Sequence, residues 1–178
     1  RIEFQKSPTR IGRVEEKPRG AADAPSRPES QRGPAFDAVE KHPNSNTANA
    51  LMGVVYMELG MDEEAVKYLE RAVELLTYDY QSRNNLGIVY GRMGFYESAV
   101  REFLAAIWLR PDNDSIKINL SVLYQREKKY DEAEKLIKHL IDKNPNHSAN
   151  LHFRLAMIYS DAGNYEMAIS ELQKSSEL

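Results

Sequence analysis

Four times along this chain a small residue is followed by a tyrosine three positions on, a turn position at seven and an alanine at twelve. The four passes are Gly53-Tyr56-Gly60-Ala65, Gly87-Tyr90-Gly94-Ala99, Ser121-Tyr124-Lys128-Ala133 and Ala156-Tyr159-Gly163-Ala168. They are spaced by 34, 34 and 35 residues. Self-similarity at this period marks units that cannot bury their apolar faces alone and must stack on their neighbours. That specifies a solenoid of helical hairpins. It also says where to look for function, because a solenoid binds along its concave wall.

One pass shows how the unit folds. In residues 80–113, Leu86, Val89, Tyr90 and Met93 recur at helical spacing and make one apolar stripe. Gly94 breaks the helix. Tyr96, Ala99, Val100, Phe103, Ala106 and Ile107 make the stripe of a second helix, with Glu97 in its first turn where the macrodipole favours an anion. The small residues, Gly87 and Ala99, let the two backbones approach closely. Pro43, Pro111 and Pro145 are expected just past helix ends, since a proline inside a helix costs about 3 kcal/mol. Residues 35–42 then sit where the closing helix of an earlier hairpin would sit. The resulting division is a half repeat or capping helix at 34–45 and four hairpins at 46–79, 80–113, 114–148 and 149–178.

The stretch "NLGIVYGRMGFYESAVREFLAAIWLRP" resembles the tetratricopeptide repeat family, and the resemblance runs over residues 46–178. It implies an all-α fold, a right-handed superhelical solenoid of antiparallel helix pairs, in which the first helix of each hairpin lines the groove. Three departures carry expectations. Thr77 replaces the usual closing proline, so the first hairpin is expected to join the second through a more continuous helix. Lys128 replaces the turn glycine, and Leu140 replaces a small alanine. The fourth hairpin, with no polar capping helix after it, is expected to leave its outer face open.

Stepping along each first helix opposite its core stripe gives four columns: Thr47, Leu51, Val54, Glu58; Gln81, Asn85, Ile88, Arg92; Ser115, Asn119, Val122, Arg126; and Asn150, Arg154, Met157, Asp161. Asn84, Ile118 and Phe153 should flank them. From these, Asn85, Ile88, Arg92, Asn119, Val122, Arg126, Phe153, Arg154 and Met157 are the candidate peptide-binding residues. Asn85 and Asn119 can each donate to and accept from the backbone of an extended peptide. Arg92, Arg126 and Arg154 suit carboxylates, so an acidic peptide or a C-terminus is the matching ligand. Ile88, Val122, Met157 and Phe153 supply an apolar floor. Asn85, Asn119 and Arg154 match part of the carboxylate clamp of chaperone-binding members. The two clamp lysines would fall at Gln81 and Asn150, so binding to heat-shock chaperone tails is not expected.

Residues 1–33 differ in kind. They hold four prolines, three glycines and a charge of +3, against −6 for the remainder. Such a segment cannot bury enough surface to offset its ordering entropy. It reads as a disordered or extended linker, or as a short docking peptide. The chain begins at an arginine and is read as a fragment or processed form.

Elsewhere the composition excludes more than it suggests. There is no cysteine, hence no disulfide, thiolate nucleophile or zinc knuckle, and the compartment stays open. The net charge of −3 argues against nucleic acid, and no run reaches the roughly 18 apolar residues of a membrane helix. His42, His139, His147 and His152 have no metal-ligand spacing. Gly91-Arg92-Met93-Gly94 follows no strand and is not a phosphate loop. No catalytic constellation or cofactor motif stands out. The reading is a non-enzymatic scaffold or adaptor. Its alternatives are the targeting domain of a larger enzyme, or a self-assembling bacterial envelope or organelle assembly factor that associates through the open last hairpin or the N-terminal tail.

Overall fold

The computed structural model describes residues 33–145 and 148–177, which form nine α-helices and no strand. The tail reading of residues 1–33 falls almost wholly outside the described residues. A short helix α1 (Pro34–Lys41) comes first. Four hairpins follow: α2 (Asn46–Glu58) with α3 (Asp62–Leu75), α4 (Tyr80–Arg92) with α5 (Tyr96–Leu109), α6 (Asp114–Arg126) with α7 (Tyr130–Lys143), and α8 (Ala149–Asp161) with α9 (Tyr165–Glu177). Each helix packs on the next in order, so the fold is a solenoid of antiparallel helix pairs.

The signature tyrosine does two jobs. Its ring fills the crossing of the pair, and its backbone carbonyl closes the turn. Met61, Phe95, Lys129 and Asn164 donate their amides to the carbonyls of Tyr56, Tyr90, Tyr124 and Tyr159 at 2.8–2.9 Å. This six-to-one bond requires the intervening residue to be left-handed. Gly60, Gly94 and Gly163 are left-handed at φ 72°, 82° and 81°, and Lys128 adopts the same turn at φ 59°. The helices α3, α5 and α7 then begin without a side-chain cap, and acids in the first turn (Asp62, Glu97, Asp131) answer the exposed amides instead, with Glu166 at the same place in α9. Three of the first helices are capped by side chains, Ser45 on α2, Asp79 on α4 and Asn113 on α6, whereas Ser148 makes no such bond on α8.

Pro43, Pro111 and Pro145 each lie two residues beyond a helix end. Thr77, which lacks that proline, does not produce the expected continuous helix. The chain breaks over Leu76–Asp79, with Leu76 extended at φ −139°. Asp79 imposes the break. Its carboxylate accepts from the amides of Gln81 and Ser82, from the Ser82 hydroxyl at 2.6 Å, and from Asn46 of the preceding hairpin at 3.1 Å. A side-chain cap with four donors ends one helix and starts the next as firmly as a proline.

The core is a row of equivalent positions. Ala65, Ala99 and Ala133 are fully buried at the pair crossing. Leu69, Phe103 and Ile137 lie one turn further on, 0%, 2% and 0% exposed. A Cβ on Gly53 would stand 2.5 Å from the Leu69 Cγ, and one on Gly87 would stand 3.0 Å from the Phe103 ring. These two glycines exist to admit the larger residue opposite. In the fourth hairpin the same position, Leu172, is 44% exposed. Among the described residues no further hairpin covers it, and Ile169 and Met167 are exposed beside it.

Candidate functional site: the inner face of the first helices

The first helices form the tighter of the two layers. α2 touches α4 and α4 touches α6, whereas α3, α5 and α7 make no comparable contact with one another. The inner side of a curved stack has the shorter helix spacing, so α2, α4 and α6 line the concave side, and α8 continues the row through the Gln125–Asp161 bond. Polar side chains join these helices in series. Arg92 binds the Asp62 carboxylate and donates to the Met57 carbonyl at 3.2 Å. Asn119 donates to Asn84 at 2.9 Å, and Asn84 donates to Asn85 at 3.5 Å. Gln125 donates to Asp161 at 2.6 Å.

These links divide the sequence-predicted residues into two groups. Arg92 and Asn119 are already engaged within the protein, and Asn85, Ile88 and Val122 are half-buried. Arg126, Arg154, Met157 and Phe153 are exposed. Among the described residues neither Arg126 nor Arg154 has a carboxylate in ion-pair range, and Asn85 donates no hydrogen bond. The difference between the two C-terminal arginines lies in their neighbours. Asp62 faces Arg92. One repeat on, Tyr96 holds the place of Asp62, so Arg126 lacks that counter-charge. Next to it, Lys128 is exposed at the turn.

Phe153 belongs to a different setting from the rest. Its equivalents reach sideways to the next first helix: Asn84 bonds Asn119, and Ile118 packs into the cluster shared by α7 and α8. Phe153 is exposed because no further first helix stands beside α8 among the described residues. It therefore belongs as much to the open end as to the groove floor. Asp62 and Gln125 are the residues that sequence reasoning passed over, and Asn84, expected only to flank the groove, is the partner of Asn119. A signal existed, since the aspartate at 62 becomes tyrosine at 96 and 130.

The remaining polar features are accounted for by the fold. His152 meets the buried Glu171 at 2.6 Å, and Lys174 meets the other oxygen of Glu171 at 2.7 Å, tying α8 to α9. Burial pushes the Glu171 carboxyl up, but the Lys174 ammonium and His152 outweigh it and hold it below the ordinary range. Burial and the Glu70 carboxylate, 2.6 Å away, push the Tyr90 phenol well up. His42 and His139 are exposed, and His147 lies outside the described residues. Trp108 points outward from α5. Among the described residues no group of His, Cys, Asp or Glu could hold a metal ion, and no helix is long and apolar enough to cross a membrane.

Similarity to known proteins agrees with this architecture. The fold is similar to a crystal structure of MamA at 20% identity and a TM-score of 0.70, covering 80% of this chain and 83% of that one. The 41-end fragment of MamA from Desulfovibrio magneticus RS-1 gives 17% identity and 0.69, covering 79% and 78%. The APC/C hetero-tetramer Cut9-Hcn1 gives 25% identity and 0.63, covering 74% of this chain and 26% of that one. No curated protein sequence matches the chain. The family model for the Psidin N-terminal TPR repeats region matches residues 35–140, and that for the tetratricopeptide repeat matches residues 149–178. The chain belongs to the tetratricopeptide repeat family, a family of protein-interaction scaffolds.

Proposed function

We propose that this chain is a non-enzymatic adaptor that holds an extended peptide along the inner face of α4, α6 and α8. One observation supports the reading above the others. The inner face keeps unspent hydrogen-bonding and charged groups (the Asn85 amide, Arg126, Arg154) beside exposed apolar surface at Met157. An extended strand offers a backbone carbonyl or amide about every 3.3 Å, and carboxamides on neighbouring helices can meet such a row without reading sequence. Each bond adds roughly 0.5–1.5 kcal/mol net, so micromolar binding needs several bonds together with apolar burial. The test is selection from an unconstrained displayed-peptide library, followed by amide chemical-shift mapping of a binder. Shifts concentrated on α4, α6 and α8 support the groove. Shifts concentrated on α3, α5 and α7 overturn it.

A second reading rests on Leu172, 44% exposed at a position otherwise 0–2% exposed. In this reading the open face of α8 and α9 associates with another copy. Light scattering with and without residues 1–33 tests it, and a monomer at every concentration in both proteins counts against it.

A further inference from the structure

We infer that the peptide taken by the groove carries two carboxylates about four residues apart, one received by Arg126 and the other by Arg154. This rests on the groove reading above and specifies its ligand. The inference comes from comparing equivalent positions inside one molecule. Arg92 and Arg126 occupy the same place on successive first helices, at the C-terminal end. Arg92 is neutralised by Asp62 and held by the Met57 carbonyl. Arg126 faces a repeat with tyrosine in place of that aspartate, and no carboxylate pairs with it among the described residues. Arg154 stands one helix on, in register with Asn119. Asn119 is occupied by Asn84, whereas Arg154 has Ile118 in the corresponding place and no polar partner among the described residues. The inner face therefore presents two guanidinium groups with no ion-pair partner among the described residues, in a chain whose net charge is −3. Of the nearby inner-face acids, Asp62 is ion-paired with Arg92, and Asp161 keeps its charge but is held by the neutral Gln125 amide outside ion-pair range of either arginine.

The spacing follows from helix geometry. Arg126 is seven residues past Asn119, the register mate of Arg154, which is about 10 Å along the helix axis at 1.5 Å per residue. Packed helices lie about 8–10 Å apart, and the α6 to α8 step is taken at the upper end of that range, about 10 Å. The diagonal is about 14 Å, or about four residues of extended chain. Between its ends lie Val122 on α6 and Met157 on α8. The matching ligand is thus acidic, spacer, apolar, spacer, acidic, crossing the helices obliquely. Lys128, exposed on the turn after Arg126, adds positive potential at that end.

The probe is a blocked seven-residue peptide with glutamates at its second and sixth positions, leucine at its fourth and serine elsewhere. Binding is followed by amide shifts in the intact chain. Arg126→Gln and Arg154→Gln should each weaken it about three- to tenfold, the range between an exposed ion pair and a charge-assisted hydrogen bond. Replacing the matching glutamate by glutamine in the peptide should leave little further loss for either variant to cause. Asp62→Ala, which releases Arg92, should tighten binding. Unfolding curves confirm that each variant keeps the parent's cooperativity. If the shifts stay on α4, α6 and α8 but neither arginine variant alters affinity, the two-carboxylate assignment is overturned and the groove stands. If the glutamates bind as well when adjacent, the spacing is overturned. If the shifts lie on the outer helices, both readings fall.

Discussion

Replacing leucine by alanine at two equivalent positions, Leu69 and Leu172, measures what a covering repeat contributes. Leu69 is 0% exposed, wedged against Gly53 and covered by the following hairpin, whereas Leu172 is 44% exposed. A fully buried Leu→Ala change costs about 2.7–5.0 kcal/mol, since the transfer loss is joined by a cavity. At Leu172 just over half of the roughly 2.4 kcal/mol transfer term applies, and no closed cavity forms, which leaves about 1.3 kcal/mol. Leu69→Ala should therefore be the worse by roughly 1.5–3.5 kcal/mol. The assay is urea unfolding by far-ultraviolet circular dichroism, with Trp108 emission as a second probe seated in the second hairpin. Repeats couple only to neighbours, so the two signals are fitted together to a nearest-neighbour scheme. Equal losses within about 0.5 kcal/mol would refute the argument. They would mean that Leu172 is covered in solution, and dilution would then show whether a second copy provides the cover.

Four further outcomes follow from the same geometry. Lys128→Gly should stabilise the third hairpin by about 0.5–1 kcal/mol in thermal melts, because a lysine there is held left-handed at φ 59° where the other repeats use glycine. Asp79→Ala should cost about 1–2 kcal/mol, as it removes the cap of α4 and the link to Asn46, and hydrogen exchange should rise at Gln81 and Ser82. Ala99→Leu or Ala133→Leu should overpack a fully buried crossing by about 1–3 kcal/mol in the same unfolding assay. Glu171 has a depressed folded pKa, so its contribution is complete above the ordinary carboxylate value of 4.5 and is lost as pH falls through the folded one. Glu171→Gln should accordingly flatten the acid limb of the stability profile while leaving its slope near neutral pH unchanged.

Much of the fold was legible because its determinants are local or periodic. Tyr56, Tyr90, Tyr124 and Tyr159 announce the turns that their own carbonyls close, and the alanines twelve residues after each small residue mark the crossings. The break at Leu76–Asp79 was not read. The missing proline at Thr77 drew attention from Asp79 two residues on, and a cap that also reaches Asn46 depends on the preceding hairpin being in place.

The groove was legible only as rows of residues. Period fixes which side chains share a row, but not whether one of them is already spoken for. Arg92 and Arg126 are the same residue at the same phase, yet one is neutralised by Asp62 and the other is not, and the cause is a substitution on a different helix, Tyr96 for aspartate. Specificity in such a stack thus depends on departures from the repeat at two positions at once, the group that could bind and the group that would otherwise occupy it. Asn119 shows the converse, since a residue suited to a peptide backbone is taken by Asn84. Releasing it by Asn84→Ala would free an amide within the groove at the cost of about one hydrogen bond, roughly 1 kcal/mol. If that variant bound extended peptides no more tightly than the parent, the carboxamides would be holding the repeats together, and recognition would rest on the arginines alone.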